Sequence, residues 1–143
     1  MLKGIPDIIS PQLMKTIMEM GHGDQIVLAD GNFPAASNAK RLVRCDGHGV
    51  PELLDAILKF FPLDVYVDKP VSLMAVAPGD DYEPTIWDEY TEIVSKYDES
   101  KSDFEYVERF DFYKKAKEAY AIVATSETAL YANVILQKGV VTE

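Results

Sequence analysis

Three short apolar runs limit what this 143-residue chain can fold into: Gln25-Ile-Val-Leu-Ala-Asp30, Ala121-Ile-Val-Ala-Thr125 and Asn133-Val-Ile-Leu-Gln137. Each is too short for a stable helix, is rich in Val and Ile, and is bounded by turn residues. That combination predicts strands buried in the interior of a sheet. A strand buried on both faces needs cover on both sides, which helices supply in parallel sheets.

The segments before and between these runs supply such helices. Ser10-Pro11 offers an N-cap hydroxyl and a proline in the first turn. Leu13, Met14, Ile17 and Met18 follow at helical spacing, and Gly21 is expected to close this helix as a C-terminal cap. Val50–Phe61 predicts a second helix and Pro84–Tyr97 an acidic amphipathic one, with Ile86, Tyr90, Ile93 and Val94 on its apolar side. A fourth is expected over Asp111–Tyr120, with Asp111 as N-cap. Further strands are expected at Leu42–Cys45, Leu63–Val67, Val71–Ala77 and Phe104–Glu108. Strands alternating with helices predict a three-layer α/β/α fold around a mainly parallel sheet. No repeat, low-complexity tract or linker divides the chain, so residues 1–143 are expected to form one domain.

Charge narrows the partners. Asp and Glu number 24 against 14 Lys and Arg, a net charge of -10. Asp80–Asp111 alone holds twelve carboxylates and three basic residues (Lys96, Lys101, Arg109), which reads as a solvated acidic face. Nucleic acid and anionic membrane surfaces are disfavoured partners, since both attract basic footprints. Cys45 is the only cysteine and falls in an expected strand, so it reads as a small buried hydrophobe. The amino terminus lacks the long apolar run of a signal peptide, and a reduced cytoplasm is the expected setting.

Chemistry has few carriers. No phosphate loop, dinucleotide fingerprint or nucleophile elbow is present. His22 and His48 are the only histidines, and their spacing matches no metal-ligand pair. His22 lies in a tight connection before the first strand, and an imidazole there is the best acid/base candidate. The competing reading is a loop histidine that bonds a helix end. His48, within Asp46-Gly-His-Gly49, reads as a turn residue facing water. Asp30 falls at the carboxyl end of its strand, where α/β sheets bind ligands, or simply forms an Asx turn. Arg109 reads as the end of a strand on the same edge, or as a surface partner of Glu105 or Glu108. Tyr131 and Asn133 precede the last strand and offer a phenol and a carboxamide to a polyol or to turn backbone. Of Phe110, Phe112 and Tyr113, most are expected in the core and one against a pocket.

Met1-Leu-Lys-Gly-Ile-Pro-Asp-Ile-Ile-Ser-Pro11, Gly21-His-Gly-Asp24, Asp30-Gly-Asn-Phe-Pro34, Arg109-Phe-Asp-Phe-Tyr113 and Tyr131-Ala-Asn-Val-Ile-Leu-Gln-Lys-Gly-Val140 together resemble the fucose mutarotase and ribose pyranase family (RbsD/FucU-like). The resemblance covers essentially the whole chain. It implies an RbsD-like fold with a mixed, mainly parallel sheet and an enzyme that interconverts anomers of a free monosaccharide without a cofactor or metal. The family's proton-donating histidine falls on His22 and its substrate carboxylate on Asp30. Its Tyr-x-Asn falls on Tyr131, Ala132 and Asn133. Arg109 holds the position that is Arg in fucose mutarotases and His in ribose pyranases, so L-fucose is the implied sugar. A homo-oligomer, decameric by resemblance, with pockets near subunit contacts is also implied. One departure stands out: fucose mutarotases often carry His where this chain has Asn32. A ribose pyranase-like enzyme and a non-catalytic monosaccharide-binding module would use the same residues.

Overall fold

The computed structural model describes residues 1–143. Helices α1 (Pro11–Glu19), α2 (Ala35–Asn38), α3 (Val50–Leu58), α4 (Ile86–Tyr97) and α5 (Arg109–Glu118) alternate with six strands. The strands are β1 (Gln25–Ala29), β2 (Leu42–Cys45), β3 (Val71–Met74), β4 (Glu105–Val107), β5 (Ala121–Thr125) and β6 (Val134–Gln137). They form one sheet in the order β2-β5-β1-β6-β3-β4. Only β6 runs against its neighbours, β1 and β3, and every other pairing is parallel. The sheet is therefore mixed and mainly parallel, as expected.

The strands that run apolar in sequence are those covered on both sides. Along β1, Ile26 and Leu28 face one core while Val27 and Ala29 face the other. Ala121 and Val123 of β5 join the first core, and Ile122 and Ala124 the second. The first core is closed by Leu13 and Ile17 of α1, Leu53 and Ile57 of α3, and Tyr90 and Val94 of α4. The second is closed by Ala35 of α2 and by Phe112 and Ala116 of α5. Cys45 is buried in the first. No helix is long and apolar enough to cross a membrane.

Three local expectations are corrected. Helix α1 is capped by Ser10, whose hydroxyl accepts from the Leu13 N–H at 3.1 Å, but it ends at Glu19 with Met20 extended. The left-handed residue is Gly23 (φ +86°), not Gly21, and it lets the Gly23 N–H reach the Lys138 carbonyl at 2.8 Å. Leu63–Val67 is not a strand: only Leu63 pairs, with Lys138. The Asp64 carboxylate accepts from the Tyr66 N–H at 3.0 Å and turns the chain out of the sheet. Helix α5 starts at Arg109, not Asp111, because the Glu108 carboxylate caps the N–H groups of Phe110 and Asp111.

Candidate functional site

The parallel strands β1, β3 and β4 end on one edge of the sheet, and antiparallel β6 begins there. Asp30 follows β1, Ala75 and Ala77 follow β3, Arg109 follows β4, and Tyr131 and Asn133 precede β6. These residues, with Asn32, Phe33, Met74, Asp80, Tyr113 and Leu130, line a cavity of about 320 Å³. That is the low end of the roughly 300–1,000 Å³ typical of small-molecule sites. Polar groups of both charge signs share it with an apolar wall, a lining suited to a small polyhydroxylated ligand.

Asp30 is held firmly. Its N–H donates to Asn133 Oδ1 at 2.8 Å, tying the end of β1 to the start of β6. One carboxylate oxygen accepts from the Asn32 N–H at 3.0 Å, so the Asx turn and the cavity position are both real. Burial pushes the Asp30 carboxyl up from its ordinary range, against the turn N–H groups of Asn32 and Phe33, and the Glu127 charge adds to the rise. Asn133 uses its carbonyl on Asp30, which leaves its amide nitrogen as a donor.

Arg109 makes no ion pair with Glu105 or Glu108; its Nε donates to the Tyr113 hydroxyl at 3.3 Å. Its guanidinium lies 5.5 Å from the Tyr113 ring centroid and 5.6 Å from that of Phe110. Of the three clustered aromatics Tyr113 reaches the pocket, but only Phe112 is buried in the core; the expectation that most are core is corrected, since Phe110 is exposed. Tyr131 adopts φ +57°, the only non-glycine residue with positive φ. Its hydroxyl donates to Asp80 Oδ2 at 2.6 Å, and its carbonyl accepts from Trp87 Nε1 at 2.8 Å. Ala132 stands apart: its side chain is buried in the first core and its carbonyl accepts from the Tyr90 hydroxyl at 2.7 Å.

His22 lies on the opposite edge. It precedes β1, whereas Asp30 follows it, so the strand separates them by about 17 Å at ~3.3 Å per residue. There, His22 Nε2 is 3.1 Å from Asp64 Oδ1. Asp64 is almost fully buried and also accepts from Gln137 Nε2 at 3.0 Å, while Gln137 Oε1 accepts from Gln25 Nε2 at 3.0 Å. Burial raises the Asp64 carboxyl, but the hydrogen bonds from Tyr66, Gln137 and His22 outweigh it and hold the group below its ordinary range. The Tyr66 ring packs against the His22 ring at a centroid distance of 5.3 Å. Gly139 permits this arrangement, since a Cβ there would stand 2.7 Å from the Leu63 carbonyl oxygen and 2.8 Å from Asp64 Cα. An imidazole oriented by a buried carboxylate is a pattern suited to proton transfer. His48, the other histidine, is partly exposed and pairs with Glu52 at 3.3 Å.

Sequence reasoning passed over Asp64 and Asp80. A carboxylate in the middle of an apolar Leu63–Val67 run was the available signal for Asp64. Asp80 was counted among carboxylates facing water, and its contact with Tyr131 spans 51 positions of sequence.

The chain as a whole is similar to known proteins. The model of the RbsD / FucU transport protein family matches residues 3–141. The fucose mutarotase of Homo sapiens is 47% identical, with 97% of this chain and 94% of that protein covered. An L-fucose mutarotase of Actinobacillus pleuropneumoniae is also 47% identical, covering 98% of this chain and 97% of the relative. The crystal structure of a Streptococcus pneumoniae fucose mutarotase in complex with L-fucose superposes with a TM-score of 0.94 at 56% identity, over 99% of this chain and all of that one.

Proposed function

The chain belongs to the RbsD / FucU family, and from that premise we propose that it is an L-fucose mutarotase, an isomerase that interconverts the α and β anomers of the free sugar. The observation that carries this reading is the convergence of Asp30, Arg109, Tyr131 and Asn133 on one small cavity. Asp30 and Arg109 hold and polarise sugar hydroxyls through charge-assisted hydrogen bonds. Tyr131 and Asn133 read the hydroxyl pattern, while Phe33, Met74 and Tyr113 offer an apolar wall to the sugar's carbon face.

His22 carries the proton transfers. The anomeric hydroxyl loses its proton as the ring oxygen gains one, and the bond between C1 and the ring oxygen breaks. Rotation about the bond to C1 and reclosure from the other face give the second anomer, with the protons returned. General acid–base assistance of this kind contributes roughly 10²–10⁴-fold. No electron sink is needed, and residues 1–143 are read as one sugar-handling domain. Because His22 and Asp30 lie on opposite sheet edges of one chain, the full constellation forms where His22 of one copy meets the cavity of another. A homo-oligomer, a decamer in this reading, then carries the activity, and the cytoplasm is its setting.

Saturation-transfer NMR on equilibrated sugars tests the proposal. Exchange between α- and β-L-fucose accelerates in proportion to protein concentration, and His22→Ala removes most of the acceleration. A protein that leaves L-fucose, D-ribose and other common aldoses at the buffer rate would sink the reading.

A further inference from the structure

Asp80 belongs to the acidic stretch, yet its two oxygens have separate tasks. Oδ1 accepts from the Tyr82 N–H at 2.9 Å and closes a turn, and Oδ2 accepts the Tyr131 phenol proton at 2.6 Å. The turn is anchored by the Asp80 N–H on the Ala77 carbonyl at 3.0 Å and by Gly79 at φ +87°. The same turn sends the Ala77 N–H to the Tyr131 hydroxyl oxygen at 3.3 Å and stacks the Tyr82 ring on that of Tyr131 at 6.0 Å. With Trp87 on its carbonyl, Tyr131 is held at both ends in a backbone conformation few side chains adopt.

A phenol has one proton to give and lone pairs with which to accept. Here that proton is committed to an ionised carboxylate, which has no proton to return. We propose that Asp80 is a positioning residue for the sugar site: it fixes the Tyr131 hydroxyl as a hydrogen-bond acceptor, so that the sugar group it meets must be a donating hydroxyl. This rests on the sugar-binding reading of the cavity. It adds a residue that acts through Tyr131 and sets the polarity of one subsite. An ether, a fluorine or a bare carbon at that sugar position leaves unmet the acceptor capacity that the hydroxyl oxygen keeps beside the Ala77 N–H.

The test compares Asp80→Ala, Asp80→Asn, Tyr131→Phe and the double variant Asp80→Ala/Tyr131→Phe by anomer-exchange rates over a range of L-fucose concentrations. Asp80→Ala raises the half-saturating concentration about tenfold, the scale of one net hydrogen bond, and lowers the saturated rate less. Asp80→Asn keeps one acceptor oxygen, which serves either the phenol proton or the Tyr82 N–H but not both, so it falls between the wild type and Asp80→Ala. The double variant costs no more than Tyr131→Phe alone, because the carboxylate acts only through the phenol. An unchanged half-saturating concentration in Asp80→Ala overturns the proposal, as does an Asp80→Ala penalty that persists in full without the phenol. Unaltered melting temperatures separate these outcomes from misfolding. A wild-type protein without acceleration overturns the mutarotase reading itself, before any variant is compared.

Discussion

His22 and Asp30 stand at opposite ends of the same strand, β1, with its five residues between them. Rigid strand backbone, tied on both sides by parallel β5 and antiparallel β6, keeps them apart. No side-chain motion closes a gap of about 17 Å. In the proposed reading each edge is half of a constellation. One edge gathers Asp30, Arg109, Tyr131 and Asn133 on a single cavity, and the other holds an imidazole braced by Asp64.

A shared site is tested by complementation. His22→Ala and Asp30→Ala are each expected to be inactive alone. Co-expressed in equal amounts, they assemble with some contacts that pair an intact His22 edge with an intact Asp30 edge. Random mixing restores about a quarter of wild-type activity, since each half-site is intact with even odds. Activity that stays at background in a verified mixed oligomer would place both residues in one chain's site.

Asp30 carries a cost to folding. Its carboxyl is raised by burial, so the charged form is disfavoured in the folded state. The penalty is absent at low pH, where the group is protonated folded and unfolded, and grows as pH rises from the unfolded value of about 3.9 through the folded one. Asp30→Asn is expected to raise stability by about 1 kcal/mol at pH 7 while weakening sugar binding. Urea titrations at pH 7 and pH 3.5 check it: the gain shrinks at the lower pH. A variant that binds L-fucose as the wild type does would remove Asp30 from the sugar contacts.

Much of this was readable from the residues, and the failures have physical causes. The buried strands β1, β5 and β6 were legible because Ile-Val-Leu runs without polar alternation need cover on both faces. The cluster that lines the cavity was legible in part, because Asp30 falls at the end of an apolar strand and Tyr131 and Asn133 precede the last one. Strand direction was the missing quantity. An apolar run looks the same in both directions, so only the pairings of β6 reveal that Gln137 ends beside His22 and Asn133 begins beside Asp30. The Leu63–Val67 run misled because local propensity favours a strand. Asp64 overrides it through bonds to His22 and Gln137, 42 and 73 positions away.

Asp64 has the opposite linkage to Asp30. Its folded carboxyl lies below the ordinary range, so it stabilises the fold above the unfolded value of about 3.9, and that contribution is lost as pH falls through the folded value. Asp64→Asn is expected to cost about 1–3 kcal/mol at pH 7, the penalty for weakening buried, charge-assisted hydrogen bonds. It also weakens the brace on the His22 ring by removing the charge and one acceptor, so the exchange rate falls while sugar binding at the Asp30 edge changes little. Chemical denaturation from pH 7 to pH 2.5 is the measurement. Wild type loses its advantage over the variant in the acid part of that range. An advantage that persists at pH 2.5 would mean that the carboxylate's charge is not what stabilises.

Arg109 is oriented by aromatic partners, and that decides which substitution is informative. Its Nε donates to the Tyr113 hydroxyl, and its plane lies near two rings, leaving the terminal guanidinium nitrogens for a ligand. Lysine keeps the charge but loses the planar fork and the stacking. Arg109→Lys is therefore expected to weaken L-fucose binding about tenfold, the loss of one charge-assisted hydrogen bond. Tyr113→Phe keeps the ring and removes only the Nε partner, so its effect is smaller and lies in the same direction. Calorimetric titration with L-fucose, run beside anomer-exchange rates, separates binding from turnover. If Arg109→Lys binds as tightly as wild type, the residue contributes charge alone, and a planar guanidinium is not what recognises the sugar.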